Sequence, residues 1–476
     1  MWSPNRMAGF AAAALISGCT TVGPDFKAPA GPAQADYGAA AERAGLTAEE
    51  RPAQAWWMAL GSADLDQVIR QALKDSPTLA EADATLASYY ALADAARGGR
   101  KPSADLSAGA QHQRFNTQVF PFRNIPSPTF DIYSVGANVA YNLDLYGGGR
   151  RSVERADAQA QAQARRADAA YLALTGEIAL QAVEIAGLRE EIAAVEAAIA
   201  DDRRMNQVVA DAIKAGGEAA GARFAGEARL AEDESDLPPL ARRLEIARHR
   251  LTLLSGHAPG AWASPDFQLS AFATPQQIPV SLPSALVHRR PDILAAEADL
   301  HAATAEIGVR TAALYPDIQL RAGLTQSARS PGNLFDYDAT GWNLAGALSA
   351  PLLRGGVLKA ERRAAEAEAR AAMARYQQTV LTAFTQVADA LSSLAQDDAT
   401  LAARARAEAA NAQTLRTAET AYRLGGGDLI GVIDAQRELD KSRRERVRAE
   451  ADRHRSAIRL FAASAADWRI TETAAR

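Results

Sequence analysis

The chain states one pattern twice. Residues 77–109, opening Pro77-Thr78-Leu79, lie without a gap on residues 291–323, opening Pro291-Asp292-Ile293, so that Pro102 falls on Pro316, Leu106 on Leu320 and Gly109 on Gly323. Each copy begins as an Ala-rich helical pattern with Pro in its first turn, stops at a second Pro, and then changes from a period near 3.6 to a period of 2. That change reads as helix running into strand. A tandem duplication constrains the fold more than local propensity does, because what one copy does the other must do. Farther on, Leu353-Arg354-Gly355-Gly356 matches Leu145-Tyr146-Gly147-Gly148. The spacing predicts a first repeat over 64–256, a Pro-rich aperiodic linker over 257–283, a second repeat over 284–466 and a tail over 467–476.

The strand patterns have two faces. Tyr133, Val135, Ala137, Val139, Tyr141, Leu143 and Leu145 alternate with Ser134, Gly136, Asn138, Ala140, Asn142 and Asp144. In the second copy Ile318, Leu320, Ala322 and Leu324 alternate with Gln319, Arg321, Gly323 and Thr325, and Trp342, Leu344 and Leu348 face away from Asn343 and Ser349. A soluble sandwich would cover the apolar face with a second sheet, which this chain does not supply. The other reading is lipid outside and water inside. Four strands cannot close a barrel, which needs about eight. An open lipid-facing sheet would leave edge N–H and C=O groups unsatisfied in hydrocarbon at several kcal/mol each, so chains must combine until the edges meet. Two copies give a filled barrel and three a twelve-stranded barrel with an aqueous lumen. The small, polar inner face favours three.

Between the strand pairs lie long heptad seams. In the first copy Tyr171, Leu174, Ile178, Ile185, Leu188, Ile192, Val195 and Ile199 recur on three- and four-residue steps, with Gln181 as a polar interruption; in the second, Val380, Phe384, Val387, Leu391 and Leu394 do so. The first long helix should run to about Lys214, on the order of 100 Å at 1.5 Å per residue, and turn back at Ala215-Gly216-Gly217. A return helix over 218–255 is expected to bend or break at Pro238-Pro239. It and a first helix from Asp64 to Arg97, placed end to end, match the long one. The second copy predicts a helix from Ser284 to Ala313, a turn at Gly425-Gly426-Gly427 and a return helix through Phe461. The expected fold class is an α+β membrane protein: a trimeric twelve-stranded β-barrel, four strands per chain, continuous with a long α-helical barrel.

The N-terminus carries an address. Asn5-Arg6 precede an apolar run from Met7 to Ile16 that ends in Ile16-Ser17-Gly18-Cys19, the charged, apolar, small-residue order of an export signal. A cysteine directly after small residues reads as a lipobox, with 1–18 removed, Cys19 acylated and 19–63 serving as a tether. Each buried acyl methylene adds roughly 0.8 kcal/mol, so several chains hold a protein on a membrane almost permanently. Beyond the signal no run approaches the roughly 20 apolar residues of a spanning helix. The net charge of −5 gives no basic footprint for nucleic acid. One cysteine and six scattered histidines offer no converging nucleophile, base or ligand set, so no enzyme chemistry, metal or cofactor is expected. Gly147-Gly148-Gly149 lacks the Lys-Ser/Thr of a phosphate loop and reads as a turn. Trp56-Trp57 read as packing anchors.

Several motifs, in order and spacing, resemble one family. They are Cys19-Thr20-Thr21-Val22-Gly23-Pro24-Asp25-Phe26, Trp56-Trp57 before a Leu-Asp helix start, Arg289-Arg290-Pro291-Asp292 with Ile307-Gly308 and Tyr315-Pro316, and Ala421-Tyr422-Arg423 with Asp434-Ala435-Gln436-Arg437. Together they resemble the outer-membrane lipoproteins of tripartite efflux systems, the NodT-type branch of the TolC-like family. The resemblance implies a homotrimer in the outer membrane with a periplasmic helical tunnel. It also implies docking to a periplasmic membrane-fusion adaptor and an inner-membrane transporter of the RND type, with small molecules passing outward. The duct of a type I protein secretion system and a lipid-anchored coiled-coil scaffold are the alternatives. It places a periplasmic gate at Asp434, with Ile430 as its apolar neighbour one helical turn earlier. Leu429 stands where the family often has an aromatic, and residues 219–224 lack the Leu-Asp pattern of the second copy.

Overall fold

The computed structural model describes residues 21–30, 55–116, 127–216, 220–273 and 286–464. The signal, Cys19, Gly217, most of the tether, the last ten residues of the linker and the tail lie outside the described residues. In chain order the elements are α1 (Ala63–Asp75), α2 (Pro77–Gly98), β1 (Ser103–Arg114), β2 (Thr129–Asn142), α3 (Gly148–Lys214), α4 (Gly221–Leu254), α5 (Pro291–Ala312), β3 (Asp317–Ala328), β4 (Thr340–Ser349), α6 (Val357–Arg423) and α7 (Leu429–Ala463). The repeat is written in their lengths: α2 and α5 have 22 residues each, β1 and β3 have 12, and α3 and α6 have 67.

Three boundaries differ from the sequence expectation. The helix expected over Asp64–Arg97 is two helices, because Ser76, which precedes Pro77, is extended at ψ 120° and the ring of a following proline disfavours helical ψ. Of the bend or break expected at Pro238-Pro239, the break is absent: α4 runs through both prolines. The carbonyls of Glu234 and Ser235 that lose their partners belong to exposed residues, where water satisfies them. In the second copy the helix expected over Ser284–Ala313 is interrupted: Leu286 and Val287 are helical, a turn follows in which the backbone amides of Arg289 and Arg290 both donate to the Leu286 carbonyl, and α5 begins at Pro291, while Ser284 lies outside the described residues.

The chain divides into two compact units. The first comprises 1–29, 85–164 and 295–377. It holds one antiparallel sheet in the order β1-β2-β3-β4, in which β1 and β4 each keep an unpaired edge. Asp105, Asn138, Gly323 and Asn343 are register partners on one face, and Leu106, Ala137, Leu324 and Trp342 on the other. Leu106, Trp342 and Leu344 are 79%, 79% and 77% exposed. The helical part of this unit is packed with alanine, Ala93 against Ala156 and Ala160.

The second unit comprises 30–84, 165–294 and 378–476. Trp56 and Trp57 are fully buried in it with Leu65, Ile69, Ile178, Ile185, Leu251 and Leu391. Trp56 stacks on Phe461 with ring centroids 5.4 Å apart and donates Nε1–H to Thr175, while Trp57 donates to Asp66 at 2.9 Å. The seam of α3 packs on α7 through small residues, since a Cβ at Gly187 would stand 2.9 Å from that of Ala451. By length and composition α3 is the one helix among the described residues that could cross a bilayer, but more than half of its apolar window is buried inside the protein.

Candidate channel wall, anchor joint and gate

The sheet of the first unit is a wall with a wet side and a greasy side. Asp105, Ser107, Asn138, Gln319, Arg321, Thr325 and Asn343 share the face of small and polar residues, while Val135, Val139, Leu320, Leu324, Trp342, Leu344 and Leu348 share the other. Asparagine side chains lie over the bare backbone of Gly323, where an added Cβ would meet Asn343 Oδ1 at 2.4 Å and displace it. The wet face is therefore tiled by asparagine amides against bare backbone.

In the same unit, motif residues far apart in sequence converge where β2 gives way to α3. Val22 N–H donates to the Tyr146 carbonyl at 3.1 Å. Arg151, with its side chain 4% exposed, donates Nε–H to the Val22 carbonyl at 3.2 Å and Nη2–H to the Gly23 carbonyl and Asp25, and pairs with Glu154. Burial opposes ionisation of Glu154, but hydrogen bonds from Arg151 and His301 outweigh it and hold the carboxyl below its usual range. Phe26 stacks on His301 at 4.3 Å and Tyr146 on Tyr315 at 4.6 Å. Gly23, at φ +93°, lies over Gly308, which presses on Arg151. Asp144 accepts from the amides of Gly149 and Arg150, capping the long helix beside this joint. Cys19 itself is outside the described residues, only two positions before Thr21, which packs against Gly147.

The gate candidates lie in the second unit. Asp428 caps α7 by accepting from Gly431 N–H at 2.8 Å, and Leu429 and Val432 are buried. Ile430 is 56% exposed and Asp434 is exposed, so the two point away from the protomer's own packing. Among the described residues Asp434 has no hydrogen-bond or ion-pair partner within the protomer. Arg290 of the Arg-Arg-Pro-Asp motif is a tie: it pairs with Asp292 at 2.9 Å, donates to the Ala463 carbonyl at 3.1 Å and bonds Gln386. Among the described residues no group of His, Cys, Asp or Glu is arranged to hold a metal ion.

Sequence reasoning missed a buried polar cluster near the gate segment. Arg229 of α4 pairs with Asp202 of α3 at 2.9 Å and donates to the Ile433 carbonyl of α7 at 3.3 Å. Gln436 of α7 donates to Asp201 and Asp440, each at 2.9 Å. Its only sequence signal is an Asp201-Asp202 pair inside a seam helix.

A family model described as outer membrane efflux protein matches residues 68–257 and 282–466. The chain belongs to that family. Outer membrane protein OprJ of Pseudomonas aeruginosa is 29% identical over 465 residues, covering 96% of this chain and 94% of OprJ. Nodulation protein T of Rhizobium leguminosarum bv. trifolii is 26% identical, covering 91% of both chains. The solved outer-membrane channel OprN superposes with a TM-score of 0.88 at 27% identity, over 94% of this chain and 99% of that one. As a member of the outer membrane efflux family the chain is a protomer of a trimeric channel, and three sheets supply the twelve strands that the unpaired edges of β1 and β4 demand. Its place is the outer membrane, and it works with a periplasmic adaptor and an inner-membrane transporter of the RND type. The family is one of ducts rather than of enzymes.

Proposed function

We propose that this outer-membrane efflux channel is an acylated exit duct for small molecules whose periplasmic end is closed by Asp434 and Ile430. The supporting observation is the two-faced sheet with open edges: an apolar face exposed to 79% at Leu106 and Trp342 belongs in lipid, and the opposite face of Asn, Ser, Thr and Gln belongs in water. A wall of mostly small polar groups, with Asp105 and Arg321 its charged members, is permissive, so selection of cargo falls to the transporter. Relatives named as solvent and toluene efflux pump proteins of Pseudomonas putida and as a pyoverdine export protein fit small-molecule cargo for this chain too.

Acylation of Cys19, after removal of 1–18, is supported by the joint at Val22 and Arg151, which fixes the chain a few residues downstream at the border between strand and helix. The division into a tether over 19–63, repeats over 64–256 and 284–466, a linker and a tail follows the pairing of equal-length elements. At the gate, three Asp434 carboxylates about one axis repel one another, and hydrogen bonds or cations offset that repulsion. Asp434→Ala removes the ring, and single-channel conductance in planar bilayers should rise. Unchanged conductance removes Asp434 from the gate.

A further inference from the structure

The gate segment of α7 is held by a group that the channel function leaves unexplained. Asp202 of α3 is 5% exposed. Its Oδ1 pairs with Arg229, whereas its Oδ2 is shut off from solvent and has no hydrogen-bond partner. The carboxyl of Asp233 on α4 acts on Asp202 as a neighbour that favours a shared proton. Two carboxylate oxygens cannot bond each other unless one carries a proton. An orphaned buried oxygen costs about 1–3 kcal/mol, and more when charged, so a proton is the ligand this arrangement lacks. A metal is not favoured, because no group of acids among the described residues is disposed to hold one.

The surroundings argue the same way. Arg229 of α4 and Asp440 of α7 act on Asp202, and Arg444 of α7, shared with Asp236 of α4, acts on Asp233; Asp201 of α3 and Gln436 and Arg443 of α7 surround Asp440 in turn. Asp440 is only 3% exposed. Arg444 is shared between Asp236 at 2.9 Å and Asp233 at 3.9 Å, and Arg443 between Asp440 and Glu408 of α6. Carboxylates thus outnumber the arginines facing them. Burial, then Asp233, then Asp440 push the Asp202 carboxyl up from 3.8 to about 6, against the pull of Arg229, and burial pushes Asp440 up as well.

We propose that Asp202 and Asp233 form a proton-binding site, and that the bound proton tightens the grip of α3 and α4 on the gate segment of α7. The mechanical link is Arg229, which spans from Asp202 to the Ile433 carbonyl, the residue before Asp434. An unprotonated Asp202 pushes on Asp233 and Asp440, and any outward movement of Asp434 breaks the Arg229 link. The sign follows from a raised carboxyl pKa: the packed cluster is tightest below the unshifted value of 3.8 and loosens as pH rises through about 6. The route for the proton is Asp233, whose side chain is 12% exposed.

The second half of this inference rests on Asp434 as the gate, and the test separates the two. Purified channels are recorded in planar bilayers from pH 4.5 to 7.5 as wild type, Asp202→Asn, Asp233→Asn and Asp434→Ala, with infrared spectra of the same samples. The wild type should close progressively below a midpoint near pH 6 and show a protonated-carboxyl band that titrates with it. Asp202→Asn, whose amide donates to Asp233 without a solvent proton, should stay closed at every pH and lose that band; Asp233→Asn should do likewise. Asp434→Ala should conduct more and keep the band. If the band is absent at pH 5 in the wild type, or if Asp202→Asn keeps the wild-type midpoint, the proton site is refuted. A titrating band with unchanged Asp434→Ala conductance keeps the proton site and discards its link to the gate. Should Asp202→Asn fail to assemble, Asp233→Asn and the wild-type band still decide.

Discussion

Gly308→Ala sets two effects against each other, and the structure says which one wins. Gly308 lies inside α5, where replacing glycine by alanine ordinarily stabilises a helix by about 1 kcal/mol. Here a Cβ would stand 2.6 Å from Arg151 Cγ and 2.8 Å from its Cδ, too close for either to stay. Arg151 cannot yield freely, because its hydrogen bonds to the carbonyls of Val22 and Gly23 fix the buried guanidinium. Losing those two bonds costs about 2 kcal/mol. Its pair with Asp25, a side chain 87% exposed, adds at most about 1 kcal/mol because water screens it. The balance is a local loss of roughly 1–2 kcal/mol over residues 21–27, while α5 itself is helped. Opening at that joint should become about tenfold more frequent, since each 1.36 kcal/mol is a factor of ten. Hydrogen exchange followed by mass spectrometry on the N-terminal peptide reads this directly through the Val22 amide, which donates to Tyr146. Slower or unchanged exchange would mean that helix propensity governs the site and that the Arg151 socket does not hold the tether.

Leu324→Arg puts a charge on the apolar face of β3 and should cost about 2–4 kcal/mol at the membrane midplane, abolishing the heat-modifiable gel band of the assembled channel; Asn343→Lys, on the opposite face, should leave that band intact. Loss of the band in both variants would remove the distinction between the faces. His454, 1% exposed, is held neutral by burial and by Arg453, which lower its pKa from 6.5 to about 4. Its contribution is complete above 6.5 and is lost as pH falls through about 4, by about 3 kcal/mol at most. Thermal denaturation of His454→Leu should therefore lack this part of the acid slope, and an unchanged slope would refute it. The sign is opposite to that at Asp202, so acid weakens the packing around His454 while it tightens the gate segment.

Much of the fold was legible because the chain repeats itself. Pro77 and Pro291 each open a 22-residue helix, and the alternation in β2 and β3 names the lipid face residue by residue. Open sheet edges then force assembly through backbone hydrogen bonding alone. What stayed hidden depends on meetings between distant positions. Gly23 and Gly308 were visible as motif residues, but their contact was not, and no periodicity marks Arg151, which follows a glycine turn. Asp202, Asp233 and Asp440 come from three helices, so no pattern along the chain announces that they share one cluster. A break at Pro238-Pro239 overweighted the prolines, since the residues whose carbonyls they free are exposed. Conversely, Ser76 before Pro77 carried a stop signal that the continuous helical pattern masked.

The stoichiometry of the assembled channel is the most direct test of the account, because every other inference assumes that one sheet is a third of a wall. Native mass spectrometry of the protein extracted from outer membranes should give a complex of three chains, each beginning at Cys19 and carrying acyl groups. A monomer or dimer, stable in detergent with its sheet edges unpaired by another copy, would contradict it.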